Sequence, residues 1–153
     1  MTGSIKVDNF LIISVISSSG QNPNITSLTI SSATLTSQRM IFQTYGGIEM
    51  TNSAIYTNGA ICLYHSIHLE EYSINIWESN FITNFTDLFD NGISIGIFTL
   101  GQITVLTSEI QTSTIVMITQ QNITVNQSTI DTKAKSCRTN MGAGRGLIVQ
   151  IQN

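Results

Sequence analysis

One eight-residue pattern recurs along the chain: apolar, any, apolar, any, any, small, any, apolar. It reads Leu28-Thr-Ile30-Ser-Ser-Ala33-Thr-Leu35, then Ile48-Glu-Met50-Thr-Asn-Ser53-Ala-Ile55. It returns as Ile74-Asn-Ile76-Trp-Glu-Ser79-Asn-Phe81 and as Ile103-Thr-Val105-Leu-Thr-Ser108-Glu-Ile110. The cleanest copy is Ile123-Thr-Val125-Asn-Gln-Ser128-Thr-Ile130. A looser copy, Ile5-Lys-Val7-Asp-Asn-Phe10-Leu-Ile12, precedes these, and a truncated Leu147-Ile-Val149 follows. The starts at 5, 28, 48, 74, 103, 123 and 147 are separated by 23, 20, 26, 29, 20 and 24 residues. A unit this short cannot bury its own apolar side, so such units must stack on one another.

Apolar residues two apart lie on one face of a strand. The break in that spacing at the small residue predicts a bend, after which the chain turns inward again. A second strand-like segment follows several copies: Met40-Ile-Phe42, Ala60-Ile-Cys62-Leu63 and Ile115-Val-Met-Ile118. Turn-forming residues then close the unit, as at Tyr45-Gly-Gly47, Asn91-Gly92, Gln120-Gln-Asn122 and Met141 to Gly146. The two long intervals read as insertions around 65–73 and 85–102, tolerated because lengthening a closed loop adds little entropy. Strand-and-turn repeats predict an all-β fold, a parallel β-helix solenoid of about six to seven coils, right-handed as parallel crossovers are. The unit is a single domain over 1–153. Leucine-rich repeats need a fixed Asn and a Leu ladder that are absent, and a sandwich does not repeat one eight-position pattern.

Composition agrees. Of 153 residues, 25 are Ile and 61 are Ser, Thr, Asn or Gln, which suits a pleated surface with an Ile core. With 5 Ala and 3 Lys, a long-helix protein is excluded. A net charge of −3 gives no whole-chain reason to expect nucleic acid. No apolar run is long enough for a transmembrane helix. The opening segment, interrupted by Asp8, is a poor signal peptide.

The N-x-S-x-I units, the Ile and Asn richness, and Ser136-Cys137-Arg-Thr-Asn-Met-Gly-Ala-Gly-Arg-Gly146 resemble pectin-lyase-like β-helix repeats. They are most similar to the repeats of very large surface proteins of ciliates and other protists. The resemblance covers essentially the whole chain and implies a secreted or cell-surface structural role, outside the cell. Members are usually far longer than 153 residues, which makes this chain a candidate portion of a longer solenoid.

Many β-helix proteins cleave polysaccharides with clustered carboxylates. Here Asp8, Glu49, Glu78, Glu109 and Asp131 fall at different offsets within their copies, so no two share a column. Asp87 and Asp90 lie in an insertion with no base nearby. No catalytic residue, metal site or cofactor is expected. His65 and His68, beside Glu70 and Glu71, read as an exposed polar insertion, since residues three apart on a strand face opposite ways. Gly142-Ala-Gly144-Arg-Gly146 lacks the ending of a phosphate loop and reads as a turn. Lys133, Lys135, Arg138 and Arg145 read as a solvated edge.

Four sequons make Asn24, Asn84, Asn122 and Asn126 glycosylation candidates. Cys62 and Cys137 each lie 14 residues after a copy start, which predicts one shared coil position three coils apart. At ~4.8 Å per coil they are too far apart to pair, so each is expected free or bonded to another chain. Neither end looks capped, so Ile5, Val7, Leu147, Val149 and Ile151 are candidate end-to-end contacts. The expected partner is a second copy stacked head to tail, or neighbouring coils of a longer chain, with glycans possible on the surface. A structural subunit of an extracellular filament, appendage or coat is the reading. A glycan-binding adhesin with its site at 65–73 and 85–102 is the rival, and a polysaccharide lyase or hydrolase comes third.

Overall fold

A computed structural model describes residues 1–15, 27–65, 72–83, 93–132 and the backbone of 148–151. Among them there is no helix. The chain forms a parallel β-helix. It opens with β1 (Gly3–Lys6) and β2 (Phe10–Val15). The first complete coil is β3 (Leu28–Ser31), β4 (Ala33–Ser37) and β5 (Arg39–Thr44). The second is β6 (Ile48–Thr51), β7 (Ala54–Thr57) and β8 (Ile61–His65). The third is β9 (Ile74–Trp77), β10 (Asn80–Thr83) and β11 (Ile95–Phe98). The fourth is β12 (Ile103–Leu106), β13 (Glu109–Gln111) and β14 (Ile115–Thr119). The fifth is β15 (Ile123–Asn126), β16 (Thr129–Asp131) and β17 (Ile148–Ile151). Like strands of successive coils pair in parallel and make three sheets. The first sheet holds β3, β6, β9, β12 and β15; the second runs from β1 through β4 to β16; the third runs from β2 through β5 to β17.

Each eight-residue repeat is two strands joined by a bend. Leu28, Ile48, Ile74, Ile103 and Ile123 stack in register, as do Ile30, Met50, Ile76, Val105 and Val125. Across the bend, Leu35, Ile55, Phe81, Ile110 and Ile130 form the third column. The third sheet adds two more inward columns, which include Met40, Ile61, Ile95 and Ile115, and Phe42, Leu63, Ile97 and Met117. Most of these are fully enclosed and form one continuous core.

The bend itself has a fixed chemistry. Ser32, Asn52, Glu78, Thr107 and Gln127 all take left-handed backbone conformations, with φ between 47° and 50°. None is glycine, and each such residue costs of order 1–3 kcal/mol. A buried serine ladder holds them there. The Oγ of Ser53, Ser79, Ser108 and Ser128 donates to the carbonyl two residues earlier, at 2.7–2.9 Å. Each Oγ also accepts the N–H of its counterpart one coil back: Ala33, Ser53, Ser79 and Ser108, at 3.1–3.2 Å. The small column of the sequence is thus a hydrogen-bonded spine. Threonines do similar work at other corners. The hydroxyls of Thr57, Thr99 and Thr119 bond the carbonyls of Gln38, Tyr72 and Gly101 in the neighbouring coil. They also accept the N–H two residues on, at Gly59, Gly101 and Gln121.

Several sequence expectations are corrected. Among the described residues the solenoid has five three-strand coils after an opening pair of strands, about five to six coils in all. Ile5 pairs with Leu35, so β1 belongs to the second sheet and not beside Leu28. Ile12, expected inside, pairs with Ile41 and faces outward at 58% exposure. Val149 pairs with Met117, so β17 closes the fifth coil and does not open a new copy. The segment 85–102 is also not one insertion, because Ile95–Phe98 supplies the third-sheet strand of its coil.

Candidate functional site

The features with chemical potential lie at the two ends and on the outer faces. In the second column Ile30, Met50, Ile76 and Val105 are all 0% exposed, but Val125 is 43% exposed. It shares the register of Val105 and points inward, yet no described coil lies beyond it. Ile123 and Ile130 are half-buried for the same reason. The backbone follows suit. The N–H groups of Leu28, Ile48, Ile74 and Ile103 each donate to a carbonyl of the next coil: Gly47, Ser73, Gln102 and Asn122. The same group of Ile123 has no next coil among the described residues. At the other end Ile5, Leu11, Ile13 and Val15 are half-buried. There Met1 sits against β3: its carbonyl accepts Ser31 N–H at 2.9 Å, and its ammonium donates to Thr29 O at 2.7 Å.

Of the expected end contacts, Ile5 and Val7 lie on the opening coil, half-buried, with Val7 N–H bonded to Thr36 O at 2.9 Å. Val149 and Ile151 lie on β17, beside Met117 and Thr119, at the far end of the third sheet. Leu147 lies outside the described residues. Val125, absent from that expectation, is the most exposed core residue of the last coil. Its place in the column was readable from the sequence; its position on the end coil became clear only once β17 joined the third sheet.

Asn122 is exposed in the turn before β15, and Asn126 is exposed at the end of that strand. Asn24 and Asn84 lie outside the described residues. Cys62 is free and stands on the outer face of β8, where burial pushes its thiol up to about 11. Its coil position passes through Gly96 and Val116 to Ile148. The equal offset of Cys137 therefore does not place it in that column, and Cys137 itself lies outside the described residues. Tyr64, two residues on, is also raised, by desolvation and then by Cys62.

The acids remain dispersed. Glu49 stands beside Asn75, Glu109 between Asn80 and Thr129, and Asp131 beside Gln111. No group of three or more His, Cys, Asp or Glu occurs among the described residues. His65 ends β8; His68, Glu70, Glu71, Asp87, Asp90, the Gly-rich turn and the basic cluster lie outside the described residues. Along the serine bend runs a shallow groove lined by Ser32, Thr34, Asn52, Glu78 and Asn80. Trp77 on the first sheet and Tyr56 on the second are 36% and 38% exposed on either side of this bend. Comparison of the chain with protein-family models, with curated proteins and with solved structures finds no match.

Proposed function

We propose that this chain is a structural element of an extracellular filament, appendage or surface coat, built by end-to-end stacking of β-helix coils. The observation that carries the reading is the last described coil. Among the described residues a column whose interior members are 0% exposed reaches Val125 at 43%, beside backbone donors whose counterparts in every earlier coil are satisfied. Edges of that kind recruit further strands unless they are capped. The contact joins unlike ends, so it propagates as an open fibre. A location outside the cell is supported by the resemblance to surface-protein repeats and by the exposed sequon residues Asn122 and Asn126. The test is electron microscopy and light scattering of purified protein and of Val125→Lys, which puts a charge on the end disc. Rods that lengthen with concentration, shortened by the substitution, support the reading. A stable monomer with both end coils ordered by amide exchange overturns it.

A glycan-binding surface is the second reading. It is favoured by the polar groove of Asn52, Glu78 and Asn80 and by exposed Trp77 and Tyr56 on the two sheets that meet at the bend, since aromatic faces and amides together suit sugar rings. Retention on a glycan array, lost on Trp77→Ala, distinguishes it from the first.

A further inference from the structure

The three outer faces differ in kind. Outward positions on the first sheet are mainly Thr, Ser and Asn with Glu49, and those on the second include Lys6, Glu109 and Asp131. The third sheet departs from this. Its outward side chains include Ile12, Ile41, Cys62, Phe98, Val116 and Ile118, stacked strand over strand in register. Arg39 is the one charged residue among its described outward positions. Ile12 is 58% exposed and Ile118 is 42% exposed. Even at Gly96 the surface is apolar, because the Phe98 ring lies over it, 2.6 Å from where a Cβ would stand. A strand covered on one side alternates apolar and polar, whereas one covered on both sides is apolar throughout. Ile61-Cys-Leu-Tyr64, Ile95-Gly-Ile-Phe98 and Ile115-Val-Met-Ile118 are of the second kind.

We propose that the outer face of the third sheet is a lateral docking surface for a second copy of this chain, the two solenoids packing sheet against sheet. Three observations favour that occupant. The face is nearly uncharged, so like can meet like without repulsion, while it offers no basic cluster for an anionic lipid surface or a nucleic acid. Its side chains stand in rows at the strand spacing of ~4.8 Å, and a partner built on that same spacing interlocks with them, as in dry sheet-on-sheet packing. Its size also fits. The five strands with described side chains, at ~4.8 Å and about five residues at ~3.3 Å, give a face of roughly 24 Å by 17 Å, about 800 Å² over two copies. That is the scale of a weak, dissociable contact. The proposal does not depend on end-to-end growth, because the contact lies along the side of the solenoid.

The experiment uses Val125→Lys and Cys137→Ser together, so that end stacking and the second thiol are removed. Sedimentation velocity should show a dimer that dissociates on dilution. A short bismaleimide should join Cys62 to Cys62, since either two-fold arrangement leaves the two thiols within a strand spacing or two of each other across sheets ~10 Å apart. Adding Ile118→Lys should raise the dissociation constant at least tenfold and abolish the cross-link with circular dichroism unchanged. Ile12→Glu, at the most exposed position of the face, serves if the lysine variant fails to fold. A monomer at ~100 μM with no cross-link overturns the proposal, and so does a dimer that both charged variants leave intact. Failure of end-to-end growth alone, with the cross-linked dimer retained, sinks the filament reading and not this one.

Discussion

The serine spine makes a quantitative prediction at Ser79. Its hydroxyl is fully buried, donates to Trp77 O at 2.8 Å and accepts Ser53 N–H at 3.1 Å. Ser79→Ala removes both bonds. The Trp77 carbonyl keeps the Asn52 N–H at 3.0 Å, so it stays satisfied. The Ser53 N–H does not: it lies at a residue 4% exposed and loses its acceptor. An orphaned buried donor costs ~1–3 kcal/mol, and a central value of about 2 kcal/mol lowers Tm by ~4–8 °C at this chain length. The natural comparison is Ala33, where the ladder ends. There Gly3 N–H turns to Ser32 O at 3.5 Å, on an exposed edge where water can serve as well. Ser128→Ala is the matched control. It removes the same acceptor from Ser108 N–H at 3.1 Å; Ser108 is as buried as Ser53, but the acceptor stands on half-buried Ser128, where water can take the place of the hydroxyl, so the loss should stay under ~1 kcal/mol. Repeat arrays do not always unfold in one step, so amide exchange complements melting. Ser53 protection should fall roughly thirtyfold in Ser79→Ala, the equivalent of about 2 kcal/mol. If the two alanine variants melt within ~0.3 kcal/mol of each other, the spine is packing and not hydrogen bonding, and the reasoning fails.

Ile103→Asp should unfold the solenoid, because Ile103 is 0% exposed and an unpaired buried carboxylate costs several kcal/mol of a total near 5–15; retention of the β-sheet circular dichroism would contradict the register. Cys62 sets a pH dependence: its thiol is pushed from 9.0 up to about 11, so between those values the unfolded chain sheds a proton that the folded chain keeps. Stability from this group is full below pH 9, falls as pH rises and is gone above about 11, a loss of roughly 1–3 kcal/mol that Cys62→Ser should remove from urea titrations. Identical pH profiles for the two proteins would refute it. Gly96→Ala should cost about 1 kcal/mol or more by displacing the Phe98 ring 2.6 Å away, and should cost much less on a Phe98→Ala background. Additive losses would mean that the ring does not cover the glycine.

Where the small residue was present, the sequence told the coil register correctly. Ala33, Ser53, Ser79, Ser108 and Ser128 mark the bend because two different forces select them: only a small side chain fits, and a hydroxyl satisfies the buried backbone there. Ile5-Lys-Val7 failed because alternation alone does not say which sheet a strand joins. Its sixth position carries Phe10, which can neither fit nor bond at the spine, and that was the available warning. The left-handed residues were invisible for a related reason. Ser32, Glu78, Thr107 and Gln127 have no glycine-like preference; their conformation is imposed by the spine one residue later. Strand β11 was missed because it lies inside the long interval that reads as an insertion, and its outward face carries Gly96 under the Phe98 ring.

The surfaces were less legible than the core, and the cause is physical. An inward position in a solenoid is constrained from above, below and across, so its residue type recurs and the period exposes it. An outward position answers to strand propensity and to whatever covers it, and Ile serves a naked strand and a covered one alike. The runs Ala60-Ile-Cys62-Leu63 and Ile115-Val-Met-Ile118 were therefore recognised as strands without showing that their second face is apolar too. The ends follow the same logic. Each coil is stabilised by two neighbours, and stability is close to a sum of those interface terms. Among the described residues Val125 has the residue type of an interior column but one stacked neighbour, so the last described coil carries the full requirement for burial and half of the supply. The free energy that holds Val105 at 0% exposure is the same free energy that a coil docking on Val125 would release. In the end-to-end assembly proposed above, folding and assembly would be one interaction applied at different places along an axis, because the surface that stacks within the chain is the kind of surface on which a further unit would stack.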